Sequence, residues 1–400
     1  MHFLARRRGG AGGRIVAGVR RLLVLVSAVI FVDAMLFGAL APLIPGFADE
    51  FDLSKTAAGF LVGAFGAGAL LGGIPGGLAA LRMGPKRTVV LGLCLLAAAS
   101  FGFSLAGGAW TLGLARFLQG CSSTITWAGA LAWLSVVAPR GRRGEILGTA
   151  FGAAVFGAIL GPMFGALADL VGIRQGFGAV GACELALAAW AAATPPAPVE
   201  RQASRALARA ARDVRFVGGL WLNTLPALMF GTLGLLAPLA LDEGGFSPFA
   251  IAAVFLAAGL VEVILNPLLG RFSDRVGRFV PTRLALAASV AVATGLAVSE
   301  SAAAVSLLVC AAAVAFGGFY TPGMTLVADR AEAVGLTQGL AFGVMNSAWA
   351  LGNLTGPALG GALAERFGDA IPYLLAGMLC FLTLIAAQRV VRRPAARPAA

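Results

Sequence analysis

Long uninterrupted apolar runs constrain this chain more than any other feature of its sequence. Twelve runs of about 20 residues or more are each long enough to cross a hydrocarbon core of ~30 Å as a helix. Only 12% of the 400 residues are charged and 59% are hydrophobic, whereas a soluble domain carries about 25% charged residues. The runs do not alternate between apolar and polar positions, so helices rather than barrel strands must satisfy the backbone within lipid.

The sequence therefore predicts an all-α membrane protein with twelve transmembrane helices. The spans are residues 22–45, 57–80, 88–106, 110–136, 146–168, 176–194, 216–240, 249–270, 281–299, 303–327, 337–363 and 370–389.

Lysine and arginine are distributed unequally between the two sets of loops. Of the 30 basic residues, only Lys55, Arg174 and Arg366 fall in one set, and Arg116 lies inside a span. Because cytoplasmic loops carry the excess of basic residues, both termini and the middle loop are predicted to be cytoplasmic. The net charge of +12 is then an orientation signal, and nucleic-acid binding is rejected. Frequent alanine and arginine with only two lysines indicate a bacterial genome and hence the bacterial inner (plasma) membrane.

Residues that would support enzymatic or metal chemistry are scarce. The only histidine is His2, and the five cysteines lie singly in apolar segments without a paired spacing, as expected of small buried hydrophobic residues. We find no phosphate loop, nucleophile motif or metal cluster, so we predict neither an enzyme nor a metal site, and no cofactor. A membrane sensor remains a weaker alternative, because no soluble signalling domain is recognisable.

A polar segment, residues 195–215, divides the chain near its midpoint. Three prolines end the preceding helix, and arginines then recur at helical spacing. The segment is either a basic amphipathic helix on the inner membrane surface or a solvated linker helix. The predicted organisation is a cytoplasmic tail at 1–21, a six-helix bundle at 22–194, this linker, a second bundle at 216–389 and a tail at 390–400.

The two halves resemble each other in sequence. Gly161-Pro162 recurs as Gly356-Pro357, 195 positions later, and Ala41-Pro42-Leu43 recurs as Ala237-Pro238-Leu239, 196 positions later. Several matches in one order at one offset predict two pseudo-symmetric six-helix bundles. Duplicated halves are typical of alternating-access transporters, whose binding site lies near the midplane where the halves meet.

A turn between the eighth and ninth predicted spans runs from Gly270 to Arg278 and contains Asp274, Arg275 and Gly277. This segment is similar to the cytoplasmic-turn motif of the major facilitator superfamily, which the chain resembles over essentially its whole length. The counterpart at 77–87 keeps Arg82 but has Leu81 where the motif has aspartate. The resemblance implies that these turns take part in conformational switching.

Two further motifs narrow the resemblance to the drug–proton antiporter branch. Arg116, Gln119 and Gly120 match an RxxQG motif in the fourth span. The fifth span carries the antiporter-type spacing Gly148, Gly157, Gly161-Pro162 and Gly165, with Ala166 where the final glycine usually stands. The glycines are interpreted either as smooth packing surfaces for helices that rock or as generic close packing.

Ionisable residues inside the membrane are costly and usually functional. Asp33 lies near the midplane of the first span, at a depth that an arginine at position 116 could reach, so we predict a direct or water-mediated interaction of Asp33 with Arg116. The alternative is a purely structural ion pair. Glu262 is the second candidate for proton coupling, whereas Glu184 is expected to have a packing or snorkelling role.

Polar and aromatic residues within the spans are candidates for lining a central cavity. They are Trp127, Asn223, Tyr320, Asn346, Trp349 and Asn353. The sequence thus predicts a monomeric secondary transporter that exports small amphipathic or cationic compounds in exchange for protons. The alternative is a facilitator or symporter for a sugar, amino acid or organic anion.

Overall fold

The structure, a computed structural model, describes residues 5–139, 142–196, 205–277, 279–336 and 338–392. Within these ranges the backbone forms fifteen α-helices and one 3-10 helix, without a β-strand. The first seven α-helices are α1 (Ala5–Gly38), α2 (Ile44–Glu50), α3 (Lys55–Met83), α4 (Pro85–Ser104), α5 (Ala109–Val137), α6 (Arg143–Val171) and α7 (Ile173–Ala193). The remaining eight are α8 (Arg205–Ala210), α9 (Val214–Glu243), α10 (Pro248–Val276), α11 (Phe279–Val298), α12 (Ala302–Gly317), α13 (Tyr320–Ala333), α14 (Gln338–Phe367) and α15 (Ala370–Arg392).

These helices make twelve antiparallel passes, in agreement with the predicted fold class. The first pass joins α1 to α2 through the 3-10 helix Ala41–Leu43, and the tenth joins α12 to α13. By length and composition, eleven segments of the described residues could cross a membrane. The other pass is α14, a 30-residue helix whose apolar sequence is interrupted by Asn346, Asn353 and Thr355. It tolerates these polar residues because it packs between α3 and α9.

Helix contacts divide the passes into two related bundles. In the first half α1 packs on α6, and in the second half α9 packs on α14, which are the corresponding passes. Between the halves α3 contacts α14 and α6 contacts α10, so the second pass meets the eleventh and the fifth meets the eighth. We call the face where α1 begins and α15 ends the terminal face, and the opposite face the distal face.

Two equivalent turns on the terminal face need glycine. Gly84, between α3 and α4, has φ 84°, and Gly277, between α10 and α11, has φ 82°. Residues with a Cβ rarely adopt positive φ, so both copies of the predicted turn motif keep their glycine for a steric reason. Arg82 and Arg275 are exposed beside these turns.

Other members of the second turn motif are described only in part. Gly270 lies within the helical backbone of α10. The side chain of Asp274, and Arg278 as a whole, lie outside the described residues.

Glycines of α6 bring its backbone into direct contact with α1. A Cβ at Gly157 would overlap the carbonyl oxygen of Phe31, and a Cβ at Gly165 would overlap that of Ala39. At Gly161 a Cβ would lie 2.6 Å from the carbonyl oxygen of Met35. The steps of four residues follow one face of each helix, so the antiporter-type spacing has a packing function here. Gly148, by contrast, faces open space.

The second half repeats this contact between α14 and α9. Cβ atoms at Gly352 and Gly356 would overlap the carbonyl oxygens of Thr224 and Leu228. Gly352 and Gly356 lie 195 positions after Gly157 and Gly161. The sequence repeat is therefore a repeat of close backbone packing. The halves differ at the proline motif, because Ala41–Leu43 interrupts the first pass whereas Pro238 lies inside the continuous helix α9.

The connection between the bundles contains only a short helix in its described part. Residues 197–204, where the predicted amphipathic helix begins, lie outside the described residues, and α8 covers Arg205–Ala210. Asp213 then caps α9 by accepting hydrogen bonds from the backbone N–H groups of Arg215 (2.9 Å) and Phe216 (3.1 Å). Arg330 of α13 donates from Nε to Asp213 Oδ2 at 3.0 Å. This guanidinium and the two amides lower the pKa of Asp213. The ion pair between Asp213 and Arg330 connects the start of the seventh pass to the end of the tenth.

The glycine contact between α6 and α1 predicts opposite effects for two alanine substitutions. Gly161→Ala inserts a methyl group against the α1 backbone and should destabilise the protein by about 1–3 kcal/mol, as overpacking does. Gly148→Ala lies in the same helix in open space and should stabilise it by roughly 0.5–1 kcal/mol through helix propensity. Thermal unfolding in one detergent measures both. Equal effects of the two substitutions would contradict the assigned packing.

Candidate functional site

The carboxylate of Asp33 is buried near the middle of the first pass. The residue is 4% exposed, and its apolar segment runs from Gly18 to Glu50. Oδ2 accepts hydrogen bonds from Ser123 Oγ (2.8 Å) and Trp127 Nε1 (2.7 Å), one turn apart on α5. Among the described residues, Oδ1 has no hydrogen-bond partner. A buried carboxylate normally has partners for both oxygens, so this side chain retains a position for a proton or a cation.

Arg116 lies on the same α1–α5 contact but has its own partners. Its Nη1 donates to the carbonyl oxygen of Leu36 (3.3 Å) and to Gln119 Oε1 (3.1 Å). Its guanidinium carbon lies 5.0 Å from the centroid of the Phe65 ring. Leu36 is one turn along α1 from Asp33, so the charges attract each other while each group is hydrogen-bonded elsewhere. The predicted interaction is thus electrostatic in the structure, and it is not a contact ion pair.

The remaining residue of the RxxQG motif has a steric role. A Cβ at Gly120 would overlap the carbonyl oxygen of Phe65 on α3. The glycine therefore lets α5 approach α3 closely. It also keeps Phe65 within reach of the arginine one turn earlier in the motif.

Aromatic contacts cross the boundary between the bundles on both sides of Asp33. Towards the terminal face, the ring centroids of Trp127 and Phe151 are 5.7 Å apart, and those of Phe151 and Phe342 are 6.4 Å apart. Towards the distal face, Phe37 on α1 lies 5.4 Å from Trp349 on α14. Aromatic faces attract organic cations, so the surroundings of Asp33 suit an amphipathic cation.

Glu262 faces the interruption of the tenth pass. A Cβ at Gly317, the last residue of α12, would lie 3.1 Å from Glu262 Oε1. Tyr320 begins α13 and is close enough for the glutamate charge to act on it. The structure therefore brings these two predicted residues together within the second bundle.

The asparagine candidates occupy different places. Asn223 of α9 is fully buried; its Nδ2 donates to the carbonyl oxygen of Gly219 at 2.8 Å and packs against Gly323 of α13. Asn353 is 4% exposed and Asn346 is partly exposed, both on α14. Of the six predicted cavity residues, only Trp127 and Trp349 belong to the aromatic contacts near Asp33.

Sequence reasoning did not identify several of these groups. Ser123 was not predicted, and Trp127 was predicted only as a cavity residue and not as a partner of Asp33. The two lie four residues apart on one helix, and this spacing could have identified them as a joint partner for an acidic residue. Phe37, Phe65 and Phe342 are indistinguishable in sequence from phenylalanines that face lipid. Glu184, predicted to pack or snorkel, is completely buried and therefore does not snorkel.

The distal face is closed by contacts between the two halves. Lys55 Nζ at the start of α3 donates to both carboxylate oxygens of Asp369 at 2.8 Å, and Glu243 lies 4.0 Å away. The backbone N–H of Thr56 donates to Glu365 Oε2 at 2.8 Å. A carboxylate from the second half thus caps a helix of the first.

The α3–α14 contact weakens towards the terminal face. A Cβ at Gly66 would lie 2.5 Å from the backbone N of Leu354, and one at Gly73 would lie 3.0 Å from Ser347 Oγ. A Cβ at Gly77, one turn further, would meet nothing within 4 Å. The two helices therefore diverge beyond the midplane, and the structure represents a state closed on the distal face.

Comparisons with known proteins agree with this architecture. The chain is 25% identical to "Multidrug resistance protein 2" of Bacillus subtilis over 91% of this chain and 94% of that protein. It is 25% identical to "Probable sugar efflux transporter" of Helicobacter pylori over 59% of this chain and 61% of that protein. A solved bacterial homologue of the human lysosomal transporter Spinster, inward-facing and unoccupied, matches with a TM-score of 0.74 at 15% identity, over 92% of this chain and 95% of that chain. The solved nucleoside transporter NupG matches with a TM-score of 0.71 at 14% identity, over 93% and 100%. The family model "Major Facilitator Superfamily" matches residues 26–341, and the chain therefore belongs to this superfamily of multi-pass membrane transporters, which are not enzymes.

Proposed function

We propose that this transporter exports small amphipathic or cationic compounds in exchange for protons. The observation that carries the proposal is the environment of Asp33, a buried carboxylate with one bonded oxygen and one oxygen without a partner among the described residues. The group lies beside aromatic rings at the boundary between the bundles. It can bind a proton or an organic cation at the same oxygen.

Competition at Asp33 supplies a simple coupling mechanism. A carboxylate that has bound a proton is neutral and no longer attracts a cation, and a bound cation disfavours the proton. A ligand shifts an equilibrium between two states only if it binds the two states with different affinities. Exchange of the two ligands at one carboxylate therefore links the movement of one to the return of the other.

Trp127 connects this carboxylate to the boundary between the halves. Its indole N–H donates to Asp33 while its ring contacts Phe151 of α6, which in turn contacts Phe342 of α14. Loss or reorientation of the hydrogen bond when Asp33 changes its ligand would move these rings. The bundles would then respond to the occupancy of the site.

The orientation in the membrane follows from the distribution of basic residues. The excess of lysine and arginine assigns the terminal face to the cytoplasm of a bacterial cell and the distal face to the outside of the inner membrane. The state described here is closed on the distal face, which is the state in which an exporter collects its substrate from the cytoplasm. We propose that the transporter works as a monomer.

The names of relatives favour export without identifying a substrate. Bacillus subtilis and Klebsiella pneumoniae proteins at 25% identity are named multidrug resistance proteins. A second candidate function is transport of a neutral metabolite, which the buried amides of Asn223 and Asn353 and the sugar-efflux relative favour. The two functions differ in whether the charge of Asp33 is required.

Neutralising Asp33 tests the proposal. Asp33→Asn keeps the side-chain shape and the acceptor for Ser123 and Trp127 but removes proton binding, so proton-coupled export should fall by at least about tenfold, equivalent to ~1.4 kcal/mol. Substrate-driven proton movement and dye export would be measured in proteoliposomes, with an imposed pH gradient. Energy-independent exchange of a cationic substrate should persist at reduced affinity, because the aromatic surroundings remain but the negative charge that attracts the cation is lost.

Asp169→Asn is a suitable control, since this exposed carboxylate lies at the distal end of α6, away from Asp33. Undiminished proton-coupled export by Asp33→Asn would refute the coupling role. Loss of both coupled export and exchange would fit lost binding of the cation, and thermal unfolding of the variant in the same detergent would show whether it still folds.

The distal contacts predict how the conformational equilibrium responds to charge. Asp369→Asn removes the carboxylate that pairs with Lys55 and should shift the population towards a distal-open state roughly 1.4- to fivefold, as expected for a partly exposed ion pair worth about 0.2–1 kcal/mol. Asp169→Asn, an exposed acid at the distal end of α6, should have no effect. Spin labels at positions 52 and 300, on opposite halves, would report the distance distribution. An identical distribution in all three proteins would show that the ion pair does not hold the face closed.

A further inference from the structure

Glu184 is a buried carboxyl group that the proposed transport cycle does not use. It lies in the middle of α7, is 0% exposed, and neither of its carboxylate oxygens has a hydrogen-bond partner among the described residues. Buried carboxylates are normally paired with a cation or hydrogen-bonded. The side chain therefore needs a different explanation for its stability.

The surroundings of Glu184 are largely apolar. One turn before it, a Cβ at Gly181 would lie 3.1 Å from the ring of Phe101 on α4. One turn after it, Leu187 and Ala188 are buried. The polar exception is Ser100 of α4, whose buried Oγ is near enough to the Glu184 carboxyl to interact with it but does not form a hydrogen bond of good geometry with it or with another described residue.

Charged groups on the neighbouring elements do not compensate a negative charge here. Helix α7 packs against α4, α6 and α1. From α1, the charge of Asp33 reaches Glu184 and has the same sign. The other titratable groups along α4 and α7 are the thiols of Cys94 and Cys183, which are exposed. The basic and acidic residues of α4, α6 and α7 lie near the helix ends. These end residues are Lys86, Arg87, Arg143, Glu145, Asp169 and Arg174.

A proton removes this difficulty. The neutral acid carries no charge to desolvate, and its new O–H bond supplies a donor that the unpartnered Ser100 Oγ can accept. The proton comes from water and returns to water, so no other reactant is needed. An ionised Asp33 further favours a proton on Glu184, because two negative charges in one low-dielectric bundle repel each other.

We propose that Glu184 is a second proton-binding site of the first bundle, occupied by a proton in the distal-closed state and electrostatically linked to Asp33. The bound proton is inferred from burial and missing partners. Only its participation in transport rests on the proposed function. Because the linkage is reciprocal, the charge state of each carboxyl changes the proton affinity of the other.

Infrared difference spectroscopy of the purified full-length protein tests the bound proton directly. Wild type at neutral pH should show the carbonyl stretch of a protonated carboxylic acid, shifted in D₂O, and Glu184→Gln should lose it. Asp33→Asn is the matched control: it should keep the band at neutral pH but lose it at a lower pH than wild type, because the like charge that favours the proton on Glu184 is gone. A wild-type spectrum identical to that of Glu184→Gln at every pH would overturn the proposal.

A second variant keeps the test valid if Glu184→Gln does not fold. Ser100→Ala leaves the carboxyl in place but removes its acceptor, so the same band should move to the higher frequency of a free carboxylic acid. An unmoved band would exclude the predicted contact. These spectra need no substrate or gradient, so they separate the two proposals. A normal band in a protein without proton-coupled transport would reject the proposed export function only. Proton-coupled transport in a protein without the band would reject the proton site at Glu184 only.

Discussion

The contact of helix backbones at glycine is the interaction on which the rest of this structure depends. In lipid there is little hydrophobic gain from joining two apolar helices, so association relies on close packing and on satisfied backbone groups. Helices α6 and α1 meet this requirement at Gly157, Gly161 and Gly165. The second half repeats the arrangement, with α14 against α9 at Gly352 and Gly356. Each bundle thereby acquires a rigid pair of helices that can move as one body.

The candidate site is a consequence of these rigid pairs. Asp33 lies on α1 between Phe31 and Met35, whose carbonyl oxygens face the α6 glycines, so its backbone is fixed while its side chain turns towards α5. There, Ser123 and Trp127 hold one carboxylate oxygen. The aromatic rings next to this carboxylate lie at the boundary between the bundles. A change of ligand at Asp33 can therefore alter contacts made by both halves.

Sequence alone predicted the membrane-spanning passes and the internal repeat of this structure. The apolar runs gave twelve passes, and the offset of Gly161-Pro162 to Gly356-Pro357 predicted two related halves, because both depend on composition and spacing. The partners of Asp33 and Arg116 could not be predicted, since they depend on the rotation of α5 about its axis. The interruption at Gly317 and Tyr320, and the inner position of α14, arise from packing between distant segments. The role of Asp33 itself stays a prediction.

Proton release on ligand binding is the sharpest test of competition between a cation and a proton at Asp33. The measurement needs neither a membrane nor a gradient. A cationic substrate would be added to the purified protein in weakly buffered detergent solution containing a pH indicator. Competition at Asp33 predicts that binding acidifies the solution in wild type near the pH at which the carboxyl is protonated. Asp33→Asn should bind the cation more weakly and release no protons, because its side chain neither titrates nor attracts a positive charge. Tight binding to wild type without acidification at any pH would contradict the account.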